Sequence, residues 1–371
     1  MSGPAPGRPA VVRRAPGKLF VAGEYAVVDS GNPAILAAVD RYVTVTVSGS
    51  ASPGVLVSSD LAAHPVRRRW DGGRLAADGG RERGGPVHVL SAVETVAALL
   101  AEHGLPRPGL ELSVASALHA DGRKFGLGSS GAVTVASVAA VAAYCGLELT
   151  RADVYRLALL ATARIDPEGS GGDLAASTWG GWLLYRAPDR GFVLDLARER
   201  GTGAALRAPW PGFAVRRLPP PAGLSLQAGW TGRPASTARL VSGLHRRPWR
   251  GTCRHRRFTA AVTDVVHAMA GALEAGDGPG VLHQVRRARQ ELARLDDEAG
   301  LGVFTDKLRA LCEAAEAAGG AAKPSGAGGG DCGIALLDAA APRHISYVHR
   351  RWTEAGVLPL PVRVAMEGIQ R

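Results

Sequence analysis

The sequence has few aromatic residues, few cysteines and no long hydrophobic run, and each shortage excludes a class of protein. Aromatic side chains make up 5% of the 371 residues. No apolar stretch approaches the ~20 residues of a membrane span, and the N-terminus does not read as a secretory signal. Close metal-ligand spacing is missing among the four cysteines, Cys145, Cys253, Cys312 and Cys332. Cysteines so widely spaced are typical of reduced thiols, so we expect a soluble cytoplasmic protein without a membrane partner.

Lysine is also scarce, although the chain is strongly basic. The net charge is +11, and of the 44 basic residues only four are lysines. A basic chain binds either nucleic acid or small anionic substrates. Arginine clusters occur at 67–69 and 246–257, but such runs usually form solvated faces. The charge by itself leaves both interpretations open.

The order of hydrophobic patterns predicts two domains that each mix helices with strands. Consecutive prolines at Pro219–Pro221 mark a boundary, because they stop both helix and sheet. We therefore expect domains at 1–220 and 221–371. Strands are predicted at 18–28, 39–48, 110–118, 224–229, 332–337 and 360–366. Helices are predicted at 88–103, 132–144, 151–164, 257–275, 279–298 and 302–318.

Three of the four lysines stand beside glycine-rich segments. These are Lys18, Lys124 and Lys323, whereas Lys307 lies in an ordinary helical pattern. Lysine is a compact point charge and arginine a planar fork, so the two are not interchangeable beside a phosphate. We expect a chemical role for at least one of the three, against the alternative of chance surface lysines.

The middle glycine loop, Gly126–Gly131, reads Gly-Leu-Gly-Ser-Ser-Gly. It matches GxGxxG, but a dinucleotide fold needs a strand running directly into the motif, and the preceding HADGRKF is turn-like. A Walker A loop is excluded, because no lysine here is followed by Ser or Thr. A glycine turn followed by two hydroxyls at a helix start favours an anion, with Ser129 or Ser130 as a Mg²⁺ ligand. The alternative is a simple serine N-cap.

Two further segments carry candidate chemistry. The third glycine loop, Gly326–Gly330, follows Lys323-Pro-Ser and precedes Asp331 and an apolar strand. Its glycines would let the backbone approach a ligand closely. The alternative is a flexible linker. Asp173 closes the glycine-rich GSGGD at a predicted helix start. It either caps that helix or orients or deprotonates an acceptor hydroxyl beside a phosphate donor.

In order along the chain, APGKLFVAGEYAVV, KFGLGSSGAV and KPSGAGGGDCGIAL resemble the three motifs of the GHMP small-molecule kinases. The resemblance covers the whole chain. GEYAVV, Lys124 and AGWTGRPAST at 228–237 are most similar to the phosphomevalonate kinase branch. The resemblance implies an α+β, two-domain fold with a ribosomal protein S5 domain 2-like N-terminal domain and a ferredoxin-like C-terminal domain. ATP and the substrate would bind between the two domains.

The resemblance also implies roles for individual residues. Lys18 would lie near the transferred phosphoryl group, Asp173 matches the proposed catalytic base, and Lys124 would contact phosphate. The ATP phosphates would be wrapped by Gly126, Leu127, Gly128, Ser129, Ser130 and Gly131, with Ser130 the preferred Mg²⁺ ligand. The substrate would contact Ser236, Thr237, Ser325, Gly326, Ala327 and Gly328.

The implied reaction is phosphorylation of 5-phosphomevalonate by ATP, in a monomer or homodimer that binds no nucleic acid. Mevalonate kinase, homoserine kinase and diphosphomevalonate decarboxylase remain as alternatives within the family, and a nucleic-acid-binding protein as one outside it. One departure counts against mevalonate kinase, which carries a Mg²⁺-binding Glu about eleven residues before the base. Here that position is Thr162, while Asp166 and Glu168 lie nearby.

Overall fold

The structure is a computed structural model that describes residues 8–77, 86–120, 122–234, 240 and 249–371. An eight-stranded sheet dominates the first part of the chain. Its strands are β1 (Val11–Ala22), β2 (Pro33–Gly49), β3 (Val55–Ser59), β4 (Val66–Asp71), β5 (Arg74–Ala77), β6 (Leu110–Ser116), β9 (Trp182–Arg186) and β10 (Ala214–Leu218). The order is β10-β9-β2-β6-β3-β4-β5, with β1 paired to β2. Only the β3–β6 pair among these is parallel. A separate hairpin joins β7 (His119–Ala120) to β8 (Arg123–Lys124).

Within the described ranges, six helices accompany this sheet, and the most buried of them packs on strands β1 and β2. They are α1 (Val87–Glu102), α2 (Ser129–Tyr144), α3 (Arg151–Ala163), α4 (Gly172–Trp179), α5 (Arg190–Arg200) and α6 (Thr202–Arg207). Helix α2 is rich in alanine and contacts β1, β2, α1, α3 and α4. A helix that is apolar all round is buried on all sides. Helix α2 is therefore held in position by packing on all of its sides.

The second part of the chain forms a four-stranded antiparallel sheet in the order β12-β13-β11-β14. Its strands are β11 (Leu224–Trp230), β12 (Ala321–Ser325), β13 (Cys332–Asp338) and β14 (Leu358–Leu360). The helices here are α7 (Cys253–Glu274), α8 (Gly278–Ala299), α9 (Asp306–Ala317) and α10 (Pro342–Glu354). Helices α8 and α9 pack on β12, while α7 also contacts β1 and β2. The two sheets are thus joined by helix packing.

Most of the predicted elements are present, with two informative errors. The strand predicted at 18–28 ends at Ala22, because Gly23 has a φ of 99° and Ala26–Val28 form a 3₁₀ turn. The last predicted strand, 360–366, is wrong: β14 ends at Leu360. The chain then returns to the first sheet, where Val364 bridges Val39. The domain boundary at 220/221 remains a prediction. The strands of the first sheet all precede it, and those of the second sheet all follow it.

Across the described residues, no helix combines the length and the apolar character needed to cross a bilayer. All four cysteines are free thiols that form no disulfide bond in the described structure.

Candidate active site

The middle glycine loop turns into helix α2 through two glycines with left-handed backbones. Gly126 and Gly128 have φ angles of 79° and 76°, which only glycine adopts without strain. Gly128 is the N-cap residue of α2, and no side chain caps that end. The alternative of a serine N-cap is therefore wrong, since Ser129 and Ser130 are the first residues of the helix. The uncapped N–H groups and the helix dipole favour an anion at this point.

Lys18 reaches this loop from β1. Its backbone N–H donates to the carbonyl oxygen of Leu127 at 2.8 Å, and its Nζ donates to that of Gly126 at 3.4 Å. A methyl group on Gly128 would lie 2.9 Å from Lys18 Cγ. The absence of a side chain at Gly128 thus lets the lysine, 8% exposed, lie against the start of α2.

Asp173 approaches the same helix from α4. It lies in the first turn of α4, whose N-cap Gly171 has a φ of 75°. Its carboxylate oxygen Oδ1 accepts the backbone N–H of Leu174 at 3.0 Å. A methyl group on Gly131 would lie 2.5 Å from Asp173 Oδ2, and one on Gly128 would lie 3.4 Å from its Cβ. Asp173 is therefore not an N-cap, and both it and Lys18 touch the first turn of α2.

A cavity of about 660 Å³ opens over this junction and is bounded by both parts of the chain. Nine of the residues predicted for the site line it: Lys18, Lys124, Gly126, Gly128, Ser129, Ser130, Asp173, Gly326 and Ala327. The cavity therefore brings together residues from both of the predicted domains. Two lysines and two serines are among the residues that line it.

The third glycine loop is bonded to the first motif. The Ser325 hydroxyl accepts the N–H of Phe20 at 2.9 Å and donates to its carbonyl oxygen at 3.0 Å. The Tyr25 hydroxyl donates to the carbonyl oxygen of Ala327 at 2.5 Å. Ser325 is buried and its hydroxyl joins the two parts of the chain, so the predicted substrate contact is not supported by its placement.

A buried ion pair adds a further link between the two parts. Lys323 Nζ donates to Glu24 Oε1 and, at 2.7 Å, to the carbonyl oxygen of Pro324. The Gly326 N–H also donates to Glu24 Oε1, at 3.4 Å. Of the three lysines beside glycine loops, Lys323 is the one that does not line the cavity. Sequence reasoning had no means of pairing it with Glu24, which is remote along the chain.

A second cavity, of about 500 Å³, adjoins the first and is mostly apolar. Its apolar lining includes Val43, Val57, Leu61, Val66, Val114 and Val133. His88, Lys124, Ser129 and Ser130 line both cavities. The start of α2 therefore lies between an apolar space and a polar one.

His88 is a site residue that sequence reasoning used only as the start of a predicted helix. Burial lowers the pKa of its imidazole, and nearby Lys124 lowers it further while Asp173 raises it. Its Nδ1 is buried and has no hydrogen-bond partner among the described residues. A half-buried neutral imidazole with an unused nitrogen, at the junction of two cavities, is suited to bind a ligand oxygen.

The other residues predicted for the site, where the structure describes them, do not line the cavity. Leu127 is buried beneath the loop, Gly131 makes room for Asp173, and Gly328 packs on Val303. Ser236 and Thr237 lie outside the described residues.

The donor set of the cavity suits a cation shared with phosphates rather than a metal site made by the protein alone. The described part of the chain has no cluster of three or more His, Cys, Asp or Glu placed to hold a metal. Ser130, Thr162 and Asp166 line the cavity, and the buried Thr162 hydroxyl has no hydrogen-bond partner among the described residues. Because Mg²⁺ takes few protein ligands when phosphates are bound, these residues fit it.

Comparison with known proteins identifies the family. The family models for the GHMP kinases N terminal domain and the GHMP kinases C terminal region match residues 89–181 and 269–353. The chain is 65% identical to phosphomevalonate kinase from Streptomyces sp. (strain CL190), covering 98% of this chain and 99% of that one. It is 28% identical to mevalonate kinase from Pyrococcus horikoshii (strain ATCC 700860 / DSM 12428 / JCM 9974 / NBRC 100139 / OT-3), covering 97% of each.

A solved structure agrees over nearly the whole fold. Streptococcus pneumoniae phosphomevalonate kinase in complex with phosphomevalonate and AMPPNP matches with a TM-score of 0.83 at 27% identity. The match covers 96% of this chain and 100% of that one. The family and the two-domain α+β fold expected from the three motifs are thereby confirmed. The chain belongs to the GHMP kinase family.

Proposed function

We propose that this chain transfers the γ-phosphoryl group of ATP to the phosphate of 5-phosphomevalonate, giving ADP and 5-diphosphomevalonate. The observation that carries the proposal is the packing of Lys18 and Asp173 around the uncapped start of α2, at the floor of the 660 Å³ cavity. The acceptor is inferred from the Streptomyces relative and from the pneumococcal kinase with phosphomevalonate and AMPPNP.

The two adjoining cavities suggest how ATP lies. The apolar cavity suits a flat base, and the loop that separates it from the polar cavity carries the free N–H groups of α2. The triphosphate would then cross Ser129 and Ser130, beside Lys124, and end near Lys18. His88 would meet the nucleotide where the two cavities join, with its unused Nδ1.

Phosphoryl transfer depends on positioning and charge more than on covalent chemistry by the protein. Lys18 would stabilise the charge that spreads over the transferred group, and the start of α2 would hold the phosphates in line. Magnesium ion, when bound to the phosphates beside Ser130, would neutralise part of their charge.

The ionisation of the acceptor determines whether Asp173 must act as a general base. A phosphate monoester has a second pKa of about 6, so its oxygen is already ionised at neutral pH. No general base is then required to create the nucleophile. Asp173 would instead orient the acceptor and hold Lys18 in place from the other side of Gly128.

The acceptor would be held from the second sheet. Gly326 and Ala327 line the cavity, and a methyl group on Gly326 would lie 3.9 Å from Lys18 Nζ. The backbone of the third glycine loop thus faces the lysine. Ser236 and Thr237 remain proposed contacts for the phosphate of the acceptor.

The test is coupled ADP release with Mg²⁺-ATP and either 5-phosphomevalonate or mevalonate, in parallel. We expect turnover with 5-phosphomevalonate and formation of a diphosphate product, seen by ³¹P NMR. Turnover with mevalonate alone would refute the acceptor and keep the kinase. Turnover with neither, by a protein that binds AMPPNP, would refute the substrate class.

A further inference from the structure

Glu24 places a carboxylate at the wall of the cavity in which anionic ligands are proposed to bind. It is 4% exposed, it lines the 660 Å³ cavity, and its Oε1 accepts the N–H of Gly326. The carboxylate therefore anchors the third glycine loop. The same charge, left uncompensated, would repel both a nucleotide and a phosphorylated acceptor across a site of low dielectric.

Lys323 is placed to cancel that charge without entering the cavity. It is 0% exposed and does not line the cavity, and it reaches Glu24 from β12, behind the loop. Its other contact is the carbonyl oxygen of Pro324, again behind the loop. The lysine thus contacts a cavity wall residue, Glu24, without lining the cavity itself.

Stability gives little reason to keep such a pair. Desolvation of two buried charges offsets most of their attraction, so neutral replacements of similar volume are often as stable. The pair also joins two parts of the chain that already share the Ser325–Phe20 and Tyr25–Ala327 hydrogen bonds. Its position beside the cavity points to a role in ligand binding.

We propose that Lys323 is a positioning residue, which lets Glu24 anchor the third glycine loop without repelling the anionic ligands. The acceptor part of this inference rests on the proposed function, because it assumes an anionic acceptor. The nucleotide part does not, since any nucleoside triphosphate is an anion.

The test uses the sign of the charge that each substitution removes. Lys323→Met removes a positive charge, and we expect the Kd of AMPPNP and the KM of the phosphorylated acceptor to rise at least tenfold. Glu24→Gln removes a negative charge, and we expect neither constant to rise while kcat falls, because the loop loses its charged anchor. In the double variant both constants return to within about threefold of the unmodified chain. The measurements are calorimetry with AMPPNP and steady-state kinetics per titrated active site.

The matched control is the Arg286→Met/Glu316→Gln double variant, which removes an ion pair between α8 and α9 that also contacts Gly320 before β12. We expect its KM, kcat and AMPPNP affinity to be unchanged. A purely structural role for Lys323 would lower the melting temperature or the active fraction and leave the constants per site alone.

Two results would overturn the proposal. One is an unchanged AMPPNP affinity in Lys323→Met; the other is equal weakening of binding by both single substitutions. Should Lys323→Met fail to fold, Glu24→Gln decides alone, because a raised Kd for AMPPNP there contradicts the charge argument. AMPPNP binding needs no acceptor, so its outcome stays separate from any failure of the proposed acceptor.

Discussion

The middle and third glycine loops look alike in the sequence, yet their glycines do different work. In the middle loop, Gly128 and Gly131 leave room for Lys18 and Asp173 against the start of α2. In the third loop the glycines mainly supply backbone angles, with φ from 71° to 152° between Gly326 and Gly330. The first arrangement brings side chains to the cavity, and the second presents backbone to it.

The two loops also differ in what holds them. The middle loop continues into a buried helix and is fixed by packing. The third loop is held by hydrogen bonds and an ion pair to residues far away along the chain, among them Ser325 to Phe20 and Lys323 to Glu24. A glycine-rich loop therefore indicates that another group lies close to its backbone, and the residues around the loop determine which group that is.

The largest effect is expected from replacing Lys18 and Asp173, the two side chains that lie against the glycines of the middle loop. We expect Lys18→Met to lower kcat by about 1,000-fold, because a preorganised charge on the transferred group is lost. Asp173→Asn should lose about 100-fold, less than Lys18→Met, because an ionised acceptor needs no base. Both are measured as kcat with saturating ATP and 5-phosphomevalonate.

Melting temperatures and AMPPNP binding serve as controls and should show a folded, nucleotide-competent protein. Near-normal turnover in both variants would refute the site. A larger loss in Asp173→Asn than in Lys18→Met would instead indicate that Asp173 acts as a true base.

A methyl group at Gly131 gives the next largest effect. The backbone there is helical and suits alanine, but the added Cβ would lie 2.5 Å from Asp173 Oδ2. The carboxylate must therefore shift, and we expect kcat to fall about 10- to 100-fold, as for other small displacements of catalytic groups.

Gly271→Ala is the matched control, because Gly271 lies inside helix α7 with nothing within 4 Å of an added Cβ. It should leave turnover unchanged and raise the melting temperature slightly, since alanine favours helix. If Gly131→Ala were as active as this control, the glycine would not be making room for Asp173.

The sequence predicted the parts of the molecule whose signals are local. Helices α1 and α3 were predicted within about one residue of their ends, and the middle loop was placed correctly before a buried helix. Helix α10 was missed although Ile345, Val348 and Trp352 recur at helical spacing, a signal that was available.

What the sequence could not supply are contacts between remote residues. Lys323 was singled out for its glycine neighbours, but its partner Glu24 lies in another motif, and only the fold brings them together. The strand predicted at 360–366 failed for a related reason. Pro361, directly after β14, has no N–H, and the tail then pairs with β1 and β2 from the other end of the chain.

Tyr25→Phe tests the third loop alone and should have the smallest effect. It removes the donor to the carbonyl oxygen of Ala327 but leaves the backbone, the ion pair and the Ser325 hydrogen bonds in place. We expect kcat to fall no more than about threefold and the KM of the acceptor to rise a few-fold. The free energy of unfolding should drop by about 1–3 kcal/mol, the usual result of leaving a buried acceptor without its partner.

This stability difference should depend on pH in a defined direction. Burial, with the nearby Asp296 and Glu24, raises the pKa of Tyr25 well above 10. Above pH 10 the unfolded chain releases this proton while the folded chain retains it, so the unmodified protein loses this part of its stability there, a loss that Tyr25→Phe lacks. Urea unfolding at pH 8 and at about pH 10.5 should therefore show the gap between the two proteins narrowing. A constant gap, or a loss of turnover as large as that of Gly131→Ala, would mean that the hydroxyl does not simply hold the backbone of the third loop.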